Sequence, residues 1–189
     1  GVGGTWHWHS YPGIAVDIPS FSYQFSFEQS PRWSRTYAPG RELKAYAEHC
    51  VDKYGLRSRI RLATKVVCAE FDDEHSLWRV RTDPGGEITA RFLISASGVL
   101  TVPQLPDIDG VDSFAGVTMH TARWDHGQDL TGKRVAIIGT GASAVQVIPE
   151  IAPIIERLTV FQRTPIWCFP KFDVPLPAPV RAAMRVPGA

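Results

Sequence analysis

"KRVAIIGTGASAVQVI", Lys133–Ile148, decides the fold. A basic edge, a short apolar run, a glycine turn and a helical stretch follow one another without interruption. "LTVFQR", Leu158–Arg163, is a second apolar run of strand length. Strand, helix and strand in that order make a βαβ unit with parallel strands. Apolar runs of this kind are expected to be buried on both faces. Pro149 and Pro153 cut into the helix late, shortening or kinking it without removing the turn.

Gly139, Gly141 and Ala144 spell G-x-G-x-x-A between strand and helix. The first glycine makes the tight turn, and the second lets the backbone approach a pyrophosphate. The small third residue lets helix and strand pack closely. Free N–H groups at the helix start, reinforced by its dipole, would receive the phosphates. A site for NAD would end the second strand in Asp or Glu, but Arg163–Thr164 stand there. A guanidinium and a hydroxyl suit a 2′-phosphate, which favours NADP; the plain alternative is an exposed arginine beside a loop. No second G-x-G-x-x-G follows a strand before Gly139.

Composition narrows the class. The hydrophobic share is 44%, the charged share 21% and the formal net charge +1, values of an ordinary globular protein. That balance argues against nucleic acid or an anionic membrane as partner. Arg57, Arg59 and Arg61 form a short basic cluster, read as a solvated strand edge. Cys50, Cys68 and Cys168 are odd in number and form no C-x-x-C pair, so neither a disulfide framework nor a zinc site is indicated and a cytoplasmic setting fits. His7 and His9 at i, i+2 have no evident carboxylate or cysteine partner, and no metal site is expected. No apolar run is long enough to span a bilayer, and no signal peptide is evident. Oligomeric state stays open.

Upstream of the turn, Gly1–Pro39 is rich in aromatics with little periodicity, and no convincing helix follows its opening glycines. Leu43, Tyr46, Ala47, Cys50, Val51 and Tyr54 recur at helical spacing, with Gly55 at the C-cap, predicting a helix that packs one stripe on a sheet. "RIRLATKVVCAEFD" (Arg59–Asp72), "LWRVRT" (Leu77–Thr82) and "ITARFLISASG" (Ile88–Gly98) predict a three-stranded antiparallel meander whose third strand runs on into the apolar "FLIS". "VPQLPDIDG" (Val102–Gly110) reads as a linker.

"FAGVTMHTARWD" (Phe114–Asp125) reads F-x-G-x-x-x-H-x-x-x-W-D, which resembles the fingerprint of Baeyer–Villiger monooxygenases at Phe114, Gly116, His120, Trp124 and Asp125. "GGTWHWHSYPGIAVD" resembles that family's second signature, "SASGVLTVPQLP" its exit from the flavin domain, and "VFQRTPIW" its 2′-phosphate strand. The resemblance implies an α/β flavoprotein with two Rossmann-like dinucleotide-binding domains, for FAD and NADP, the second inserted into the first. It implies an enzyme in which NADPH reduces the flavin and O2 gives a C4a-peroxyflavin. That species inserts one oxygen atom into a ketone, giving an ester or lactone, or oxygenates an amine or sulfide.

Carried over by motif, Gly139, Thr140, Gly141, Ala142, Ser143 and Gln146 would meet the NADP pyrophosphate side, and Arg163 with Thr164 its 2′-phosphate. Thr5, Trp6, Asp17 and Tyr23 would lie against the flavin, Val66 would touch its adenine end through the backbone, and Ser97 with Gly98 would adjoin it. The resemblance gives Asp17 and His120 the catalytic roles: Asp17 positions an active-site arginine, and His120 sits at the domain hinge, coupling NADPH to oxygenation. On local pattern alone Asp17 would cap the turn after Pro12–Gly13, His120 would be a hydrogen-bonded structural histidine, and Trp6 a core aromatic.

The expected division is a partial FAD domain with the meander over 1–110, an interdomain linker over 111–132, and the start of an NADP domain over 133–189. The chain opens inside a glycine run and closes in a proline-rich tail with no closing strand or helix, so an incomplete two-domain protein is expected. Its FAD fingerprint and the arginine that serves the flavin find no match here. The chain alone is then expected to be inactive, and a non-catalytic NADP-binding module is the reading from another class.

Overall fold

The computed structural model describes residues 1–185; the last four positions of the expected NADP domain, 186–189, lie outside the described residues. In chain order the elements are α1 (Thr5–Trp8), α2 (Gly40–Lys53), β1 (Lys65–Asp72), β2 (Leu77–Asp83), β3 (Gly86–Ala90), β4 (Arg134–Ile138), α3 (Ala142–Ile151), β5 (Arg157–Phe161) and α4 (Ala178–Ala183). Their contacts form two units: Val51–Val99 with Gly1, and Val2–Cys50 with the chain from Leu100 onward. Residues 2–50 thus pack with the βαβ segment in the larger unit, and the meander lies in the smaller one.

In the larger unit β4 and β5 pair in parallel, Arg134 opposite Arg157 through Ile138 opposite Phe161, with α3 between them in sequence. Only one face of this pair is covered. Val135, Ile137 and Leu158 pack under Val147 and Ile151 of α3, whereas Ile138 (58% exposed) and Phe161 (56%) face outward. The expected burial on both faces is therefore corrected, since nothing among the described residues covers the second face. Pro149 lies inside α3 and is tolerated near its end; the helix stops two residues before Pro153.

The aromatic N-terminal region folds by packing rather than by periodicity. Gly3 and Gly4 take φ of 113° and 53°, and a single helical turn, α1, follows them where none was expected. Trp33, Val16, Ala38, Leu43, Tyr46 and Cys50 form one core, flanked by Trp6, Tyr37, Leu176 and Met184. Leu43, Tyr46, Cys50 and Val51 of the predicted stripe are thus buried, the first three against aromatic loops instead of a sheet, whereas Tyr54 lies beyond the end of α2 and is exposed. The proline-rich tail is also more ordered than expected. Leu176 N–H donates to the Ser34 carbonyl (2.8 Å), Asp173 holds Arg35 (2.9 Å), and α4 closes the described chain.

In the smaller unit α2 ends in a Schellman motif. Leu56 N–H donates to the Val51 carbonyl (2.9 Å), Gly55 N–H donates to that of Asp52 (3.1 Å), and Gly55 takes φ +63°. Arg57–Arg59 then form a 3-10 turn, with Arg57 paired to Asp52 at 2.7 Å, so this stretch is no strand edge. Left-handed Ala63 (φ 50°) delays β1 to Lys65. β1–β2–β3 form the predicted antiparallel meander, with a bulge between Val66 and Cys68 and Val80 at its core. The third strand ends at Ala90 and does not continue into "FLIS": Phe92 is 82% and Ile94 89% exposed. A strand needs a neighbour to pair with, and none adjoins this stretch among the described residues.

Gly13 ties the N-terminal segment to α3. It takes φ +78°, and a Cβ there would strike the Gln146 carbonyl oxygen and come within 2.9 Å of Glu150 Cγ. Gly132 has φ +65° with open space around it. Gly13→Ala should therefore destabilise the larger unit by about 2–4 kcal/mol, against about 1 kcal/mol for Gly132→Ala, read as shifts of the thermal unfolding midpoint.

Candidate functional site

The glycine turn lies at the carboxyl ends of the parallel strands, where open α/β sheets bind their ligands. Gly139 leaves β4 with φ +105°, a conformation open to glycine, and its N–H donates to the Phe161 carbonyl of β5 at 2.8 Å. Thr140 Oγ1 donates to the Thr164 carbonyl (3.5 Å) and accepts from Gln162 Nε2 (3.2 Å). These bonds bring the turn and the Arg163–Thr164 corner together. Gly141 caps α3 without a side-chain partner, and Val145 N–H makes the first intrahelical bond, to Gly141 (3.1 Å). The N–H groups of Ala142, Ser143 and Ala144 precede that bond and are the unpaired donors of a helix start.

A dinucleotide phosphate fits this donor set. A Cβ added at Gly139 or Gly141 would meet nothing within 4 Å, so the space before the turn is open. Arg163 is exposed and makes no ion pair among the described residues. Backbone donors at the positive end of a helix and a free guanidinium suit, respectively, a pyrophosphate and a terminal phosphate.

Gln146, one turn further along α3, reaches the N-terminal segment. Its Nε2 donates to the Asp17 carboxylate and to the Ala15 carbonyl, both at 3.0 Å, while its Oε1 accepts from the Tyr11 hydroxyl at 2.9 Å. Burial pushes the Tyr11 phenol up, so it stays a donor; the nearby Asp17 charge adds to the shift and a hydrogen bond with Ser143 opposes it. Asp17 therefore binds across to α3, where local pattern suggested a turn cap.

The residues expected at the flavin fall in both units. In the larger one, Thr5 and Trp6 lie on α1, and Trp6 meets Tyr23 edge to face with centroids 5.7 Å apart. Asp17 follows the same segment. In the smaller one, Val66 pairs with Thr82 beside the bulge of the edge strand β1, and Ser97 and Gly98 (φ +71°) are exposed beyond β3. None of these forms a glycine turn with unpaired helix-start N–H groups of the kind at Gly139. Among the described residues no three His, Cys, Asp or Glu side chains converge as metal ligands.

Each fingerprint residue has a local task. A Cβ at Gly116 would come within 2.5 Å of the Phe114 ring, which folds back over it. Trp124 packs against the core under α3, and Asp125 accepts from Gly127 N–H and Gln128 Nε2, both at 2.9 Å. His120 Nδ1 accepts the Ala122 N–H at 3.0 Å, capping the turn Thr121–Arg123 and fixing a neutral ring protonated at Nε2. Sequence reasoning gave no role to three neighbours. Arg123 stacks over Trp8 (4.6 Å) and donates to the Thr101 carbonyl (2.9 Å), His9 donates to that of Leu100 (2.8 Å), and Gln162 holds Thr140. Only the place of Gln162, directly before Arg163 at a strand's carboxyl end, could have marked it.

Burial, followed by the charges of His9 and Arg123, lowers the His120 pKa below its ordinary 6.5. The folded state prefers the neutral ring, so this contribution is complete above 6.5 and is lost as pH falls through the lower folded value. Amide exchange at Ala122, corrected for intrinsic rate, should rise several-fold below pH 6 and stay flat from 7 to 8. A His120→Asn variant should lose that dependence.

Comparison with known proteins places these features in a lineage. The family model described as pyridine nucleotide-disulphide oxidoreductase matches residues 12–175. A Baeyer–Villiger monooxygenase of Streptomyces coelicolor is 47% identical over 184 residues, 97% of this chain and 35% of its own length. Among solved structures, ε-caprolactone-bound cyclohexanone monooxygenase superposes with a TM-score of 0.90 at 39% identity, over 96% of this chain and 36% of that one. The OTEMO complex with FAD and NADP gives 0.88 at 38%, over 96% and 36%. The chain thus spans about a third of the length of the proteins it matches, and the expected α/β, Rossmann-like flavoprotein fold agrees with them. The chain belongs to the pyridine nucleotide-disulphide oxidoreductase family, and within it resembles the Baeyer–Villiger monooxygenases, as its fingerprint indicates.

Proposed function

We propose that this chain forms part of an FAD- and NADPH-dependent monooxygenase that inserts one oxygen atom of O2 beside the carbonyl of a small ketone, giving an ester or lactone. The observation that carries the reading is the fingerprint from Phe114 to Asp125, whose Trp124 packs into the same core as the helix behind the glycine turn. When bound, the two cofactors supply hydride and, with O2, the oxygen atom that is transferred.

The residues then divide the work. Gly139, Thr140, Gly141, Ala142 and Ser143 receive the NADP pyrophosphate, and Arg163 with Thr164 selects the 2′-phosphate. Thr5, Trp6, Asp17 and Tyr23 face the flavin, Val66 touches its adenine end through the backbone, and Ser97 and Gly98 also serve the cofactor. Asp17 presents its charge to the reaction space while Gln146 fixes its direction. His120, held neutral, orients the hinge rather than moving a proton. Residues 1–110 belong on this reading to the FAD domain, 111–132 to the linker and 133–189 to the NADP domain. Three free cysteines without a C-x-x-C pair fit a reducing cytoplasm and carry no disulfide chemistry of their own. Among the described residues no helix is long and apolar enough to cross a membrane.

Two measurements test the reading. Arg163→Ala should weaken NADP⁺ binding about 10–100-fold by calorimetry, roughly 1.4–2.8 kcal/mol, while changing NAD⁺ affinity less than threefold. In the natural protein that carries this sequence, a cyclic ketone should stimulate NADPH oxidation and acquire one atom of labelled oxygen from O2. Turnover of thioethers or amines but not ketones would replace the ketone assignment, and cofactor binding without any turnover would reduce the protein to an NADP-binding module.

A further inference from the structure

Gln162 is the first residue beyond β5, and its side-chain amide is engaged at one end only. Its Nε2 donates to Thr140 Oγ1 at 3.2 Å, and the Thr140 hydroxyl in turn donates to the Thr164 carbonyl at 3.5 Å. A carbonyl oxygen only accepts, so the hydroxyl proton lies on the Thr164 side and Thr140 Oγ1 receives the Gln162 N–H. That order fixes which end of the amide faces the turn. The nitrogen is spent on Thr140, and Oε1 has no partner among the described residues. Gln162 is exposed, next to the exposed Arg163. The backbone holds the same place, because Gly139 N–H donates to the carbonyl of Phe161, the residue before Gln162, at 2.8 Å.

The end of the second strand of a βαβ nucleotide fold is where an Asp or Glu accepts from the adenosine ribose in NAD sites. A carboxylate there repels a 2′-phosphate, whereas an amide oxygen accepts the same kind of bond without the charge. The surrounding sequence is free of negative side chains. Residues 134–149, which include the glycine turn, and residues 157–172, which include Gln162, contain no Asp or Glu. A 2′-phosphorylated ribose keeps its 3′-hydroxyl as a donor, and a guanidinium has no acceptor to offer it.

We propose that Gln162 is a specificity-determining residue of the dinucleotide site, its Oε1 accepting from the 3′-hydroxyl of the adenosine ribose while its Nε2 braces the glycine turn. This role rests on the proposal that the site takes NADP, and it divides the recognition in two. Arg163 attracts the 2′-phosphate, and Gln162 reads the neighbouring hydroxyl without repelling that phosphate. Thr140, by holding the amide nitrogen, positions the oxygen.

The test is calorimetric titration of the natural protein that carries this sequence with 2′,5′-ADP, its 3′-deoxy analogue and 5′-AMP. Wild type should bind 2′,5′-ADP about tenfold or more tightly than 5′-AMP, and severalfold more tightly than the 3′-deoxy analogue. Gln162→Leu should bind 2′,5′-ADP and its 3′-deoxy analogue alike, yet still prefer both to 5′-AMP through Arg163. Gln162→Glu keeps an acceptor and adds a charge. It should retain the 3′-hydroxyl preference but lose about tenfold in affinity for 2′,5′-ADP, with no loss for 5′-AMP. A side chain that merely braced the turn would weaken all three ligands together in Gln162→Leu and leave the 3′-hydroxyl preference in place. That pattern, or a wild type indifferent to the 3′-hydroxyl, overturns the role of Gln162 and leaves the NADP reading standing. A wild type that binds 5′-AMP as tightly as 2′,5′-ADP overturns both. The wild-type comparison uses no variant, so it decides the matter even where circular dichroism shows a variant to be misfolded.

Discussion

Gln146 carries three hydrogen bonds on one amide: from the Tyr11 hydroxyl, and to the Ala15 carbonyl and the Asp17 carboxylate. Through them this side chain ties the N-terminal segment to α3. Each bond contributes on the order of 1 kcal/mol, while burying Tyr11, Val147 and Ile151 yields roughly 1.5–3 kcal/mol apiece. Apolar packing therefore holds the N-terminal segment on α3, and the amide decides its register. The bare Cα of Gly13 permits the approach, because any side chain there would collide with the helix backbone. A carboxylate expected at the flavin is in this way aimed from the helix that begins at the dinucleotide turn.

The fingerprint between Phe114 and Asp125 is a set of local structural solutions at fixed spacing. Phe114 covers Gly116, His120 caps the turn Thr121–Arg123, Trp124 enters the core, and Asp125 closes the next turn. Arg123 and His9 then grip the carbonyls of Thr101 and Leu100, so the segment leaving the meander is tied to the fingerprint. A neutral His120 serves this arrangement, since a protonated ring would lose its acceptor nitrogen.

The differences between sequence reading and structure share one physical origin. "FLIS" is apolar enough for a buried strand yet is exposed, and β4 with β5 is apolar on two faces but covered on one. Propensity supplies the preference for a strand; hydrogen bonding to a neighbour supplies the strand itself. In the other direction, the aperiodic N-terminal region contains a dense core around Trp33. Aromatic residues scattered through loops leave no periodic signal, although each buries a large area.

Sequence by itself determined the βαβ unit, the glycine turn, the arginine that follows β5, the meander, the helix from Gly40 to Lys53 with its glycine stop, and the fingerprint. All of these depend on neighbours within a few residues, through turn geometry, periodicity and capping. Only the tertiary structure decided that Asp17 meets Gln146, that Gln162 holds Thr140, and that the proline-rich tail docks beside Arg35. These contacts join side chains brought together by burial of apolar surface, a force without direction that leaves the choice of partner to the packing of the whole unit.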